Sequence, residues 1–172
     1  VVNAVLLKPL PFPTAQQLLA LGSTNRHEEV RRDSINSLSY PDYFDFRKEN
    51  RTLANSAVYH QENVAFSDGK GGAQSLVGVK ASGEFFDVLG VQPLLGRGFV
   101  RADEQAGGGP GGFKAVLSDE FWQKQFGRDK NLLGRPITLD RLPDTVIGTL
   151  PAPSQVPTQH PPRTPHPTLA ER

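Results

Sequence analysis

Apolar and polar residues alternate over short distances along this chain, a pattern that predicts short strands joined by short helices. Residues 17–23 and 113–118 are brief apolar runs, and each predicts one strand. Residues 63–81 predict a hairpin, because the loop SDGKGG tolerates positive φ and the residues after it alternate with period two. Residues 132–150 predict a second hairpin around the tripeptide RLP.

Helix signals occur at three places between these strands. Residues 39–53 predict a helix with Ser39 as its N-cap and Pro41 in its first turn. Residues 82–90 predict a short helix that starts at Ser82 and Gly83 and ends at Gly90, with Phe85, Phe86 and Leu89 facing inward. Residues 118–127 predict a third helix between Ser118 and Gly127. This mixture of short strands and helices predicts an α+β (mixed α/β) layered domain.

The two ends of the chain differ from the middle. Residues 1–7 (VVNAVLL) are mostly apolar and fit either a buried strand or the last turns of a helix, and composition slightly favours the strand. Residues 8–13 contain three prolines and predict an extended connector, and residues 24–37 predict a polar loop. Residues 151–172 contain seven prolines and little apolar content, so we predict a disordered or polyproline-like tail.

Composition excludes several classes of function. The 19 Lys and Arg balance 18 Asp and Glu, which argues against a nucleic-acid binder that neutralises phosphates. The absence of cysteine excludes disulfides, thiolate catalysis and Cys-ligated metals. No window of about 20 apolar residues is present, so the chain contains no complete membrane-spanning helix.

The candidate motifs for phosphate binding, metal binding and nucleophilic catalysis lack the neighbouring residues that each kind of site requires. The glycine-rich run GGGPGG at 107–112 precedes a strand, and Phe113 stands where a P-loop needs lysine, so it predicts a surface loop. The histidines show no metal-ligand spacing, and no nucleophile elbow accompanies them, so we predict neither a metal site nor a Ser–His–acid triad. The four histidines are His27, His60, His160 and His166.

Three carboxylate pairs and one aromatic cluster are the remaining candidates. Structural roles are favoured for all three pairs, which are Asp42/Asp45, Asp103/Glu104 and Asp119/Glu120. An aromatic cluster could stack sugars or bases, but its helical spacing favours core packing; it comprises Tyr40, Tyr43, Phe44 and Phe46. Asn50 begins a triplet, NRT, that matches a glycosylation acceptor, but such triplets occur by chance. The residues therefore predict a binding or structural domain that is not an enzyme, with no catalytic, cofactor-binding or metal-binding residues.

Six segments occur in the order found in a known family. They are VVNAVLLKPLPFP, SYPDYFDFRKENRTL, VKASGEFFDVLGVQPLLGRGF, VLSDEFWQKQFG, LLGRPITLD and TVIGTLP. Together they resemble the MacB-like periplasmic core domain of ABC transporter permeases, within the FtsX-like permeases of acidobacterial type. The resemblance covers residues 1–151, and the collinearity of several blocks makes it more specific than any single motif.

The resemblance implies a division of the chain into three parts. Residues 1–7 would be the last turns of the first transmembrane helix, an implication that replaces the strand preference. Residues 8–150 would be the periplasmic core domain, with two subdomains of short helices packed on mixed sheets. Residues 151–172 resemble nothing in the family, which continues with more domain and three further transmembrane helices, so the resemblance implies a truncated fragment.

The resemblance also implies a function, partners and a location. The domain would couple ATP hydrolysis by a cytoplasmic ABC ATPase to movement or partner docking in the periplasm, without catalysis of its own. Its partners would be the rest of the permease with its transmembrane helices, the ATPase and, in efflux members, a periplasmic adaptor protein. It would face the periplasm from the bacterial inner membrane, held through the N-terminal helix. Two alternatives stay open: a free-standing ligand-binding module that uses the aromatic helix at 40–46, and, ranked below it, an enzyme that uses Asp42 and Asp45.

Overall fold

The computed structural model describes residues 2–6, 15–23, 38–69, 71–109, 111–152 and 168–171. In chain order these residues form β1 (Val2–Leu6), β2 (Leu19–Ser23), α1 (Tyr40–Glu49), β3 (Tyr59–Ser67), β4 (Ala73–Ala81), α2 (Phe85–Leu89), β5 (Leu95–Gly96), β6 (Phe113–Leu117), α3 (Asp119–Phe126), β7 (Pro136–Leu139), β8 (Leu142–Thr149) and β9 (Thr168–Glu171). Single 3₁₀ turns occur at Ala15–Gln17, Arg101–Glu104, Ala106–Gly108 and Lys130–Leu132. This mixture confirms the predicted α+β class.

One mixed sheet organises the domain. Its strands follow the order β5-β8-β6-β9-β4-β3-β7, and β7 also pairs with β8, so the sheet closes on itself. Strands β6 and β8 are parallel, whereas β3 and β4 are antiparallel. Strands β1 and β2 form a separate antiparallel pair. The division into two subdomains stays a prediction.

Strand β6 is buried on both of its faces, and a hydrophobic cluster lies on each side. Ala115 and Leu117 belong to a cluster covered by α3, whereas Val116 belongs to a second cluster covered by α2. The alternation follows from the period-two geometry of a strand, which sends successive side chains to opposite faces. Two helices on opposite faces of one sheet therefore enclose the core.

Helix caps agree with the sequence at α1 and α3 and differ at α2. The side chains of Ser39 and Ser118 accept hydrogen bonds from the backbone of the first turn, and Gly127 ends α3 in the left-handed region, as predicted. Helix α2 instead has Glu84 at its N-cap position, and the Glu84 side chain makes no capping hydrogen bond to the first turn. Ser82 is not the cap because its hydroxyl accepts a hydrogen bond from the Val58 N–H, at 3.1 Å.

Helix α1 ends earlier than predicted, at Glu49 instead of residue 53. Asn50 stops it: the Asn50 Oδ1 accepts hydrogen bonds from the N–H groups of Thr52 and Leu53, each at 3.0 Å. The Asn50 amide also donates to the Leu53 carbonyl, at 2.8 Å. These bonds replace the helical pattern with a side-chain turn, so Asn50 has a structural role in ending α1.

Both predicted hairpins are confirmed. The β7–β8 turn contains no glycine, and Asp140 and Arg141 adopt φ of 47° and 68°. Two consecutive left-handed residues make the tight turn that suits strand twist. Asp140 tolerates this conformation because its N–H donates to the Ala65 carbonyl and its carboxylate accepts from the Ala65 N–H, both at 2.9 Å.

The chain ends differ from the sequence-based expectations. Val2–Leu6 forms strand β1 paired with β2, not helical turns, and this pairing satisfies its backbone N–H and C=O groups. In the predicted disordered tail, Thr168–Glu171 forms β9 in the sheet. The predicted connector at 8–13 and the polar loop at 24–37 lie outside the described residues. A membrane role for residues 1–7 stays a prediction.

Candidate functional site

Helix α1 carries the predicted aromatic cluster, and the structure divides that cluster between core and surface. Tyr43 is buried, and its hydroxyl donates to the Ser56 carbonyl, at 2.9 Å. Tyr40 and Phe44 are each 42% exposed. The expectation of one common packing face therefore holds for Tyr43, while Tyr40 and Phe44 remain available at the surface.

Arg47 connects this aromatic surface to a group of acids. Its guanidinium lies 5.1 Å from the centroid of the Phe44 ring and 5.5 Å from that of Tyr43. The same group contacts Glu84 Oε2 and Glu104 Oε1, both at 3.2 Å. Burial alone would lower the pKa of Arg47, but a hydrogen bond with Tyr43 and the two carboxylates outweigh it and raise this pKa.

Two further contacts complete what we call the Arg47 cluster, namely Arg47, Glu84, Arg101 and Glu104. Arg101 pairs with Glu84. Glu104 also accepts a hydrogen bond from the Gly83 N–H, at 2.8 Å. The cluster therefore ties together α1, the start of α2 and the 3₁₀ turn that contains Arg101 and Glu104. Sequence reasoning missed it, because Glu84 and Glu104 lie 37 and 57 positions from Arg47 and show no local spacing.

Asp103 belongs to a second ion pair in the same 3₁₀ turn. Its carboxylate accepts hydrogen bonds from both terminal guanidinium nitrogens of Arg97, at 2.7 and 3.0 Å, and from the Val100 N–H, at 2.9 Å. Burial would raise the pKa of Asp103, but the bonds from Arg97 and Val100 outweigh it and lower the pKa below its ordinary value. Within the predicted Asp103/Glu104 pair, both carboxylates are therefore engaged in structural contacts.

In each of the other two carboxylate pairs, the acid at the start of a helix has a structural partner. Asp42 accepts a hydrogen bond from the Ser39 hydroxyl, at 2.6 Å. Asp119 is largely buried and pairs with Arg128, at 2.6 Å. Asp45 and Glu120 are exposed. The structure therefore brings none of the predicted pairs into a shared cleft.

The glycine-rich run at 107–112 leads into β6 and is held by a lysine. Lys114 is largely buried, and its ammonium donates to the carbonyls of Gly108 and Gly112. A phosphate cradle presents backbone N–H groups to its ligand, whereas here carbonyl oxygens converge on a cation. The arrangement therefore agrees with a surface loop that Lys114 fixes through carbonyl groups, and not with a nucleotide-binding site.

No group of three or more His, Cys, Asp or Glu side chains that could hold a metal ion occurs in the part of the chain that the structure describes. Of the four histidines, only His60 lies in a described segment, on strand β3. Across the same segments, no helix has the length and apolarity needed to cross a membrane.

Solved structures similar to this chain share its fold at low sequence identity. The extracellular domain of the noncanonic ABC-type transporter YknZ from Gram-positive bacteria matches with a TM-score of 0.50 and 16% identity, over 67% of this chain and 52% of that domain. The periplasmic region of MacB from Actinobacillus actinomycetemcomitans matches with a TM-score of 0.48 and 16% identity, over 72% of this chain and 50% of that region. The chain thus spans about half the length of these domains. No curated protein matches the chain.

A family model gives the assignment. The model of the MacB-like periplasmic core domain matches residues 9–162, which is most of the chain. The mixed sheet and short helices agree with this match, as does the fold shared with the YknZ domain. The chain therefore belongs to the family of MacB-like periplasmic core domains of ABC transporter permeases.

Proposed function

We propose that this chain is the extracytoplasmic part of an ABC-type transporter permease that couples cytoplasmic ATP hydrolysis to movement or partner docking outside the membrane. The observation that carries the proposal is the family match over residues 9–162. The proposed partners are the transmembrane remainder of the permease, a cytoplasmic ABC ATPase and, for an efflux role, a periplasmic adaptor protein. The proposed location is the bacterial inner membrane, with the domain facing the periplasm.

A non-catalytic role is supported by how the buried charges are used. Glu104 forms an ion pair with Arg47 and accepts a hydrogen bond from the Gly83 N–H. Asp103 forms an ion pair with Arg97, and Asp119 forms one with Arg128. A catalytic acid or base must lie within hydrogen-bond reach of the substrate. These carboxylates instead form hydrogen bonds with arginine side chains and backbone groups of the same domain. The charges serve to fix loops and helix ends to the sheet.

The location can be tested by labelling a single thiol, because the natural chain has no cysteine. Lys124→Cys places a thiol on the exposed side of α3, and Val116→Cys places one in the buried core as the matched control. The permease that carries this domain is expressed in bacteria, and intact cells receive a membrane-impermeant maleimide. We expect Lys124→Cys to react in intact cells and Val116→Cys to react only after denaturation. Reaction of Lys124→Cys only after lysis would refute the extracytoplasmic location.

Coupling needs its own measurement in the same labelled system. The permease and its ATPase are reconstituted in lipid nanodiscs, and the reaction rate of Phe44→Cys, on the exposed face of α1, is measured with and without ATP. Coupling predicts that ATP changes this rate while the denatured protein reacts equally in both conditions. An identical rate with and without ATP, at sites across α1 and α3, would contradict the coupling role.

A second candidate function is ligand binding at the surface of α1, favoured by the exposure of Tyr40 and Phe44 beside Arg47. Aromatic faces at this spacing suit stacking against sugars or planar groups. Tyr40→Ala with Phe44→Ala removes the surface and leaves the buried Tyr43 in place, so it tests binding without opening the core. If the chain binds a component of a glycan array saturably and the double variant binds it equally well, the α1 surface is excluded as the binding site.

A further inference from the structure

Strand β3 has one edge that is open over most of its length. Strand β4 pairs with β3 along all of Tyr59–Ser67, whereas β7 pairs with its last two residues, Phe66 and Ser67. The chain leaves β3 there, because the turn at 140–141 leads directly into β8. Among the residues that the structure describes, no strand pairs with the β7 side of β3 over residues 59–64. We call this stretch the β3 edge.

Hydrogen bonds at its two ends fix which residues of the β3 edge point outward. Just before the strand, the Ser82 N–H donates to the Val58 carbonyl, on the β4 side, at 2.9 Å. The Ala65 N–H and carbonyl bond instead to Asp140, on the β7 side. Backbone groups of successive residues in a strand point to alternate sides, so the odd-numbered residues present their N–H and C=O groups to the open side. These residues are Tyr59, Gln61 and Asn63.

The β3 edge lacks the features that usually keep an open strand edge from pairing. Such edges are protected by lysine, proline or a bulge. The sequence YHQENV contains neither lysine nor proline, and β3 pairs with β4 in unbroken register. Its one carboxylate, Glu62, forms an ion pair with Lys80, at 2.5 Å. His60 and Asn63 are exposed, so an extended segment can reach the edge and pair with it.

We propose that the β3 edge pairs with the β3 edge of a second copy of this chain, antiparallel, about a two-fold axis at Gln61. Such an interface is isologous, because both copies contribute the same strand. Gln61 then faces Gln61 of the other copy, and Tyr59 faces Asn63 of the other copy. Every outward residue therefore meets an outward residue, and their N–H and C=O groups bond across the axis.

Side-chain chemistry favours this register and this occupant. On both sides of the axis, His60 lies opposite Glu62 of the other copy. An imidazole N–H can donate to a carboxylate, and the ion pair with Lys80 is made through Oε1 of Glu62. An axis shifted by one residue would place His60 against His60 or Glu62 against Glu62. The second shift would also need the Ala65 backbone groups, which are bonded to Asp140.

Crosslinking of single-cysteine variants of the full chain tests the pairing. The natural chain has no cysteine, so a single thiol can form only an intermolecular disulfide. Gln61→Cys places two thiols across the axis, with Cα atoms about 5.5 Å apart, which a disulfide can span. Asn63→Cys is the matched control on the same edge, because its two copies would lie about 14 Å apart along the strands.

Under mild oxidation, we expect Gln61→Cys to form a covalent dimer at least tenfold faster than Asn63→Cys. Position 63 is the more exposed of the two, so random collisions would favour the control. Equal rates, or faster crosslinking at position 63, would overturn the proposal.

A charge exchange tests the same register without a crosslink. His60→Glu places two carboxylates opposite each other, and sedimentation over a concentration series should show at least a tenfold rise in the dimer dissociation constant. His60→Glu combined with Glu62→His should restore the dimer, since the carboxylate at position 60 also lies opposite Lys80 of its own chain. Circular dichroism checks that each variant is folded. A wild-type chain that sediments as a monomer throughout, or a folded double variant that does not regain the dimer, would refute the pairing of positions 60 and 62.

Discussion

The burial of Phe121 leads to a quantitative prediction about stability. Phe121 is 1% exposed in the cluster under α3, with its ring centroid 5.2 Å from Phe66 and 5.8 Å from Phe126, both edge-on. Phe→Ala in a core costs about 3–5 kcal/mol, and aromatic pairs contribute about 0.5–1.5 kcal/mol each beyond their area. We therefore expect Phe121→Ala to lower the free energy of unfolding by about 4–5 kcal/mol, roughly a quarter or more of the stability of a typical domain.

Phe44→Ala is the matched control, since it removes the same side chain from the surface. Phe44 is 42% exposed and contacts Tyr43 and Arg47, so the expected loss is about 1 kcal/mol. Urea unfolding followed by far-ultraviolet circular dichroism and by the fluorescence of Trp122, the single tryptophan, measures both variants. Losses that agree within about 1 kcal/mol would refute the assignment of Phe121 to the core and Phe44 to the surface.

The remaining predictions concern a charge, a glycine and an asparagine. Asp103→Asn removes a carboxylate whose pKa is lowered in the folded state, so the stabilisation it provides is present above the ordinary value of 3.8 and is lost as the pH falls through the lower folded value. The difference in unfolding free energy between wild type and variant should therefore shrink below about pH 4, and a constant difference would contradict the Arg97 contact. Gly83→Ala would place a Cβ 2.5 Å from the Arg101 amide nitrogen, so it should lower the free energy of unfolding by about 1–3 kcal/mol. Gly72→Ala is the control, because its new Cβ would meet the Asp68 side chain at 3.4 Å, and it should change stability by less than about 0.5 kcal/mol. Urea unfolding measures both variants. Asn50→Ala should cost about 1 kcal/mol in the same assay, because it removes the turn that ends α1; a neutral result would exclude that role.

Features encoded within a few residues were predictable from the sequence. Ser118 and Gly127 bound α3 as their chemistry indicates, and the loop at 67–72 joins β3 to β4 as predicted. The physical reason is that caps and turns depend on the backbone of adjacent residues alone. The α+β class followed from the same local signals, and the family resemblance from the order of several such blocks.

Features that depend on distant partners were not predictable. Ser82 has the chemistry of a cap, yet it bonds to Val58, which only the packed fold brings beside it. The Arg47 cluster joins residues 57 positions apart, and β9 enters the sheet from a proline-rich segment whose composition indicates disorder. Backbone pairing outweighs composition at β9, because the sheet offers two unpaired edges that any short extended segment can satisfy.

The Arg47 cluster also gives the proposed coupling role a physical basis. A displacement of α1 relative to α2 would have to separate Arg47 from Glu84 and Glu104, which are 12% and 15% exposed. Separation leaves these largely buried carboxylates without partners, at a cost well above that of an exposed ion pair. The turn with Arg101 and Glu104 rests against Gly83, where a side chain has no space. Helix α1, the start of α2 and this turn should therefore move as one unit, so a force applied at the exposed face of α1 reaches the central sheet through packed backbone.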